Sequence, residues 1–169
     1  MGGRSFTFRS PAEADVTFLV EHMRGDDRRE LKRWTGQDPE YEVRHSISCS
    51  QVCFAGVFGD GALACIFGAC RANVLEEEAV VWMLSTTAVD RHPVEFYIGS
   101  KAGLDRLMGE MPEVGVFSNW VDLEYTRACR WLERLGFGMS LSTPKRPGFR
   151  GGEFGQFYIM NPHFTNGED

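Results

Sequence analysis

The sequence predicts a single α/β (α+β) domain in which a mixed, mostly antiparallel sheet is flanked by helices. Three observations carry this prediction. Between Gln51 and Ser85 runs of Val, Phe, Cys, Ala and Ile are broken by Phe58-Gly59-Asp60-Gly61 and by Glu76-Glu77-Glu78, the texture of a hairpin followed by a third strand. The stretch FSNWVDLEYTRACRWLERLGF, Phe117 to Phe137, reads as a buried strand, a polar turn and an amphipathic helix closed by Gly-Phe. Helical patterns occupy the segments before and between these strands. A chain of 169 residues, 43% hydrophobic and 25% charged, can bury one sizeable core and is too short for two ordinary domains, so residues 1–169 are read as one unit.

Taken in order, Ser5 to Arg9 alternates Phe6 and Phe8 with polar residues, a half-buried strand. Ser10-Pro11 offers an N-cap and a first helical residue for a helix through Ala14, Phe18, Leu19 and Met23 to Gly25. Asp26 or Asp27 can cap a second helix bearing Leu31 and Trp34 and ending at Gly36, and Pro39 to about Ser48 suits a third. Val52 to Val57 and Leu63 to Phe67 form the hairpin, the three glutamates a solvated loop, and Ala79 to Ser85 a strong strand. Pro93 then opens a long helix whose buried face is read as Val94, Tyr97, Ile98, Leu104, Leu107, Met108 and Met111, and which Gly99, Gly103 and Gly109 weaken by roughly 1 kcal/mol each.

In the next helix Ala128, Trp131, Leu132 and Leu135 share one face while Arg127, Arg130, Glu133 and Arg134 take the other, a solvated face on the simplest reading. Gly136 sits where a left-handed C-cap is wanted. A short strand at Phe137 to Leu141 and a longer one at Gly155 to Met160 enclose an exposed loop at 143–152, and 161–169 reads as a tail. Trp82 and Trp131 fall among apolar neighbours and read as core, whereas Trp34 and Trp120 suit a partner surface.

A net charge of −6 and a pI near 5.3 argue against a nucleic-acid surface covering the molecule. No apolar run approaches a membrane span and no basic-then-apolar leader opens the chain. Cys49, Cys53, Cys65, Cys70 and Cys129 are odd in number and lie mostly in apolar segments, as reduced cysteines of a cytoplasm do. Cys65 and Cys70 point to opposite faces of one strand, so no metal site is expected.

Strand, polar turn, helix with an Ala one turn in and a terminal Leu-Gly-Phe resembles the last conserved segment of the GNAT superfamily of N-acetyltransferases, with Tyr125 at the usual Asn position and Leu132 at the usual Tyr. Trp82 to Thr86, Asp90-Arg91-His92-Pro93, Val121-Asp122 and Thr126-Arg127-Ala128 further resemble a GNAT-like family of tailed-bacteriophage proteins, labelled internal virion protein A or acetyltransferase, over about Phe6 to Met160. The resemblance implies a GNAT-like acyl-CoA N-acyltransferase fold, with acetyl-CoA as the implied cofactor.

That chemistry needs a strand whose amides hold the pantetheine, a Gly-rich helix start for the pyrophosphate, a base for the amine and an acid for the thiolate. Met83, Leu84, Ser85 and Thr86 fit the strand role, and Arg91 can add charge beside the helix start at His92-Pro93. The Gly-rich loop is absent, and Leu132 removes the usual Tyr acid. Asp122, Glu124 and His92 are the candidate bases, with cap, first-turn and packing roles as the plainer readings, and Tyr125 is a candidate acid. These gaps favour a non-catalytic or weakly catalytic factor that binds phage structural or host proteins during assembly, in the virion or in host takeover. The alternative is an active acetyl-CoA-dependent N-acetyltransferase modifying a protein or small amine. The expected location is the cytoplasm of an infected bacterial host, or the virion.

Overall fold

The computed structural model describes residues 6–166; Ser5 of the first expected strand and the last three residues of the expected tail lie outside the described residues. The strands are β1 (Thr7–Arg9), β2 (Val52–Val57), β3 (Leu63–Cys70), β4 (Glu78–Ser85), β5 (Val116–Asp122), β6 (Gly138–Met139), β7 (Arg146–Pro147) and β8 (Glu153–Met160). The helices are α1 (Glu13–His22), α2 (Gly25–Trp34), α3 (Pro39–Cys49), α4 (Pro93–Gly109) and α5 (Thr126–Leu135), with a short 3-10 turn at Thr87–Asp90. One sheet runs β1-β2-β3-β4-β5-β8-β6, with β7 added to β8.

Every pairing is antiparallel except β4 with β5. That parallel ladder covers only Glu78↔Val116, Ala79↔Phe117 and Val80↔Ser118, after which the two strands diverge. The sheet is therefore split along half its height at the centre.

Side-chain alternation sorts the helices onto two faces. Val16 and Leu19 of α1, Met23 just after it and Val43 of α3 pack with Ala55, Ile66 and Leu84, and Trp82 adjoins them. On the other face Phe96, Leu107 and Met108 of α4 meet Phe54, Phe67 and Phe117, with Val81 and Met83 alongside. Ala128 and Leu132 of α5 join that face through Val121, Phe137 and Phe157.

Two helix starts differ from expectation. α1 begins after Ala12, not at Ser10-Pro11, because the Asp15 carboxylate accepts from Ala12 N at 2.7 Å and is held by Arg9 at 2.5 and 2.8 Å. α2 begins at Gly25, so Asp26 and Asp27 lie inside its first turn instead of capping it. Arg24 N donates to Ser85 O at 3.0 Å, fixing that start against the end of β4. Glu78, expected in a solvated loop, is the first residue of β4 and accepts from Ser118 Oγ at 2.6 Å. Asp38 caps α3, accepting from Glu40 N at 2.9 Å, with Pro39 at the first position, and Gly136 closes α5 at φ 104°, as its spacing predicted.

Residues 143–152 are mostly exposed but contain β7 and are tied to α2 by Arg150 N to Arg33 O at 2.9 Å. The segment after β8 turns back onto the end of α4 and the turn that follows it, where Asn161 Nδ2 lies 3.1, 3.1 and 2.8 Å from the accepting carbonyls of Met108, Met111 and Val114.

Gly103 has a packing reason for its place in α4. A Cβ there would lie 2.8 Å from the Phe8 ring and 2.9 Å from the Phe67 ring. Gly103→Ala is expected to destabilise by about 1–3 kcal/mol in a urea melt, because overpacking outweighs the ~1 kcal/mol gain in helix propensity.

Candidate active site

Where β4 and β5 part, Asn119 spans the apex: its Nδ2 donates to Val81 O at 2.7 Å and its Oδ1 accepts from Trp120 N at 2.6 Å. Beyond it opens a cavity of about 620 Å³. Asp27, Glu30, Trp82 and Trp120 line it on the α2 face, and Val81, Met83, Leu104, Val121 and Trp131 on the α4–α5 face. The cavity thus passes through the sheet, and two ligands can meet in it from opposite faces.

The α2 end is acidic. Asp27 is buried and accepts from Tyr125 Oη at 2.7 Å, Ser85 Oγ at 2.7 Å and Ser85 N at 2.8 Å. Burial, then the Asp27 charge, pushes the Tyr125 hydroxyl far above its ordinary range, so it stays a donor. Glu30, one turn on, accepts from Asp122 N at 3.0 Å. The Glu30 residue retains partial exposure while its carboxyl is enclosed, and this desolvation, aided by Asp27 and Asp122, pushes it up to about 8. Asp122 is fully buried: Oδ1 accepts from Glu124 N at 3.0 Å, and Oδ2 lies 3.0 Å from Arg33 Nη1 without hydrogen-bond alignment.

The structure therefore gathers Tyr125 and Asp122 around Asp27 and Glu30. Glu124 is exposed, pairs with Arg33 at 2.7 Å and is held below its ordinary range by that bond. His92 lies elsewhere, against Phe58 at 4.8 Å and 3.4 Å from Asp60, and with Arg91 lines a separate hollow of about 420 Å³.

Of the strand residues, Met83 and Ser85 line the cavity. Leu84 packs with the α1–α3 core, and Thr86 is buried with its hydroxyl donated to Leu63 O at 2.7 Å. The Ser85 amide and carbonyl are occupied by Asp27 and Arg24. Two residues back, the same strand alternation turns the Met83 N–H and C=O toward the gap left by β5. A pantetheine-like chain can pair there.

The α4–α5 face is apolar below and basic at its rim. No residue of α5 is fully buried, because its apolar side faces the cavity. Arg127, Arg130 and Arg134 are exposed, as the spacing suggested, and they also border the cavity. Three contacts join α5 to α4 and its approach: Phe96 stacked on Trp131 at 5.8 Å, Tyr97 Oη donating to Arg134 O at 3.1 Å, and Arg127 paired with Asp90 at 2.7 Å. Trp131 Nε1 is buried with no partner among the described residues.

No family model and no curated protein matches the sequence. Solved structures do match. A spermidine N-acetyltransferase from Vibrio cholerae, in complex with CoA and spermine, aligns at TM-score 0.65 and 14% identity over 92% of this chain and 95% of that one. The ribosomal-protein-S18-alanine N-acetyltransferase of Escherichia coli aligns at 0.61 and 17% over 98% of both chains. A candidate acetyltransferase from Acinetobacter baylyi aligns at 0.70 and 11% over 98% of both. The chain has the GNAT acetyltransferase fold. At these identities the likeness concerns the GNAT fold alone. No helix among the described residues is long and apolar enough to cross a membrane, and no cluster there is suited to a metal.

Sequence reasoning missed Glu30 and misjudged Asp27. The signal was present: Asp27, Glu30, Leu31 and Trp34 stand at i, i+3, i+4 and i+7, which places two carboxylates on the inward face of α2 within the GNAT fold.

Proposed function

We propose that this protein is an acyl-CoA-dependent N-acyltransferase acting on an amine. The observation that carries the reading is a cavity through the sheet with the enclosed Glu30 carboxyl at its acidic end, which burial pushes up to about 8. Such a carboxyl is near its midpoint at the pH where an amine must lose a proton, which suits a general base. Acetyl-CoA, when bound, supplies a thioester carbonyl to which the amine nitrogen bonds as the carbon–sulfur bond breaks and the sulfur takes up a proton. The free Met83 edge of β4 orients the pantetheine. Asp27, Trp82 and Trp120 receive the amine, and Glu30 takes its proton. Tyr125 and Ser85 position Asp27. The fold's neighbours act on spermidine and on a ribosomal-protein alanine, both amines.

A thermal-shift titration tests the reading. Saturating acetyl-CoA is expected to raise the melting temperature by several degrees, since a ligand at about 100 times its Kd adds about 2.7 kcal/mol. No shift at millimolar ligand refutes it.

A second reading has its own support. Three contacts tie α5 to α4 and its approach, and Pro93, Asp60 and Glu95 leave the start of α4 poorly suited to phosphates. On this reading the fold serves as a non-catalytic or weakly catalytic factor binding phage structural or host proteins, in the infected cytoplasm or the virion, as the phage-family resemblance implies. Stoichiometric CoA in the purified protein refutes it.

A further inference from the structure

We infer that, on the acyltransferase reading, the phosphate groups of the acyl donor are held by the α5 arginines Arg130 and Arg134, supported by Arg127, and not by the start of α4. The start of α4 is poorly equipped for a diphosphate. Pro93 has no N–H to offer, the Glu95 carboxylate lies one turn in and accepts from Gly59 N at 3.2 Å, and Asp60 stands 3.4 Å from His92. Asp90, just before it, is already shared by Arg127 at 2.7 Å and Arg24 at 3.5 Å. A diphosphate placed there would have Arg91 beside it but would also meet the Asp60 and Glu95 carboxylates, with Asp90 already paired.

The opposite lip of the same cavity has the reverse character. Arg127, Arg130 and Arg134 stand at i, i+3 and i+7 of α5 and all line the cavity. Arg130 and Arg134 make no ion pair among the described residues, so their guanidinium groups are available in a chain whose net charge is −6. Between them Trp131 Nε1 is a buried donor lacking an acceptor, a deficit that a ligand oxygen would remove. Guanidinium groups and an indole N–H around an apolar chamber suit a ligand with an extended neutral arm and an anionic head. The arm would reach from this lip to Met83 within one continuous cavity. Phosphate recognition has thus moved from backbone amides of one helix to side chains of its neighbour.

The test is calorimetric binding of CoA and of S-acetylpantetheine, which lacks the phosphates, to the wild-type protein and to the R130Q/R134Q variant. Both side chains are exposed and the Tyr97 bond uses the Arg134 backbone, so the fold should persist, which circular dichroism checks. The variant is expected to bind CoA at least about tenfold more weakly, and S-acetylpantetheine within about twofold of wild type. Unchanged CoA binding by the variant overturns the inference and leaves the acyltransferase reading standing. So does equal wild-type affinity for the two ligands. Failure of the wild type to bind either ligand overturns the reading and the inference together.

Discussion

Glu30→Gln is expected to lower the acyl-transfer rate by about 10²–10⁴-fold, the usual contribution of a positioned base, while leaving acetyl-CoA binding nearly unchanged. Gln can still accept from Asp122 N, so the geometry survives and only the proton acceptor is lost. The wild-type rate should rise with pH around a midpoint near 8 as Glu30 ionises, and the residual rate of the variant should lack that step. A wild-type profile rising near the ordinary carboxylate range, or a variant of full activity, would remove Glu30 from the reaction.

The same shift has a sign in stability. Folded Glu30 keeps its proton to about pH 8, whereas the unfolded chain releases it near 4.5. The folded state therefore binds more protons between those values, and stability from this group is complete below 4.5 and lost as pH rises through 8. Gln has no proton to lose. The variant should melt higher than wild type above pH 8, by a margin that shrinks toward pH 4.5, a trade of stability for function that needs no substrate to measure.

Most of the architecture was legible because most elements carried their own pattern, β7 in the loop at 143–152 excepted. The hairpin announced itself by Gly-Asp-Gly, α5 by the spacing of Ala128, Trp131, Leu132 and Leu135, and its end by Gly136. Helix starts were less legible. Ser10-Pro11 is a good local start, but the Arg9–Asp15 pair sets the real one across six residues. The site was legible only in part, since its acidic groups come from α2, β5 and the turn after it, which meet only in the tertiary structure. Tyr125 was read as a candidate acid, and its hydrogen bond to Asp27 was not legible because the two lie 98 positions apart. Trp34 and Trp120, read as a partner surface, stack on each other at 6.1 Å, and Arg146 covers Trp120 at 4.5 Å. No local pattern encodes such pairings.

Asp27→Ala is expected to destabilise the protein by about 3–5 kcal/mol, with a fall in melting temperature of roughly 10 °C. The side chain is a three-way acceptor that joins α2 to the end of β4 through the Ser85 amide and hydroxyl, and to the start of α5 through Tyr125. Alanine leaves three buried donors facing an apolar methyl, and each unsatisfied donor costs about 1–3 kcal/mol before relaxation. Tyr125→Phe and Ser85→Ala each remove a donor along with its bond, so each should cost only about 1 kcal/mol. Asp27→Asn should fall between, because one of its two side-chain atoms now presents N–H groups to a donor. The order alanine, asparagine, phenylalanine in urea midpoints is therefore the expected signature. An Asp27→Ala loss below about 1 kcal/mol would mean that the three bonds are solvated and that Asp27 is not a clamp. The clamp matters for chemistry because no sheet pairing joins β4 and β5 beyond Val80 and Ser118. Asn119 at the apex and Asp27 at the open end fix the width of the gap, and Glu30 is carried on the same helix as Asp27. Tyr125→Phe, mild in stability, should accordingly weaken acetyl-CoA binding by more than its effect on the melt would suggest.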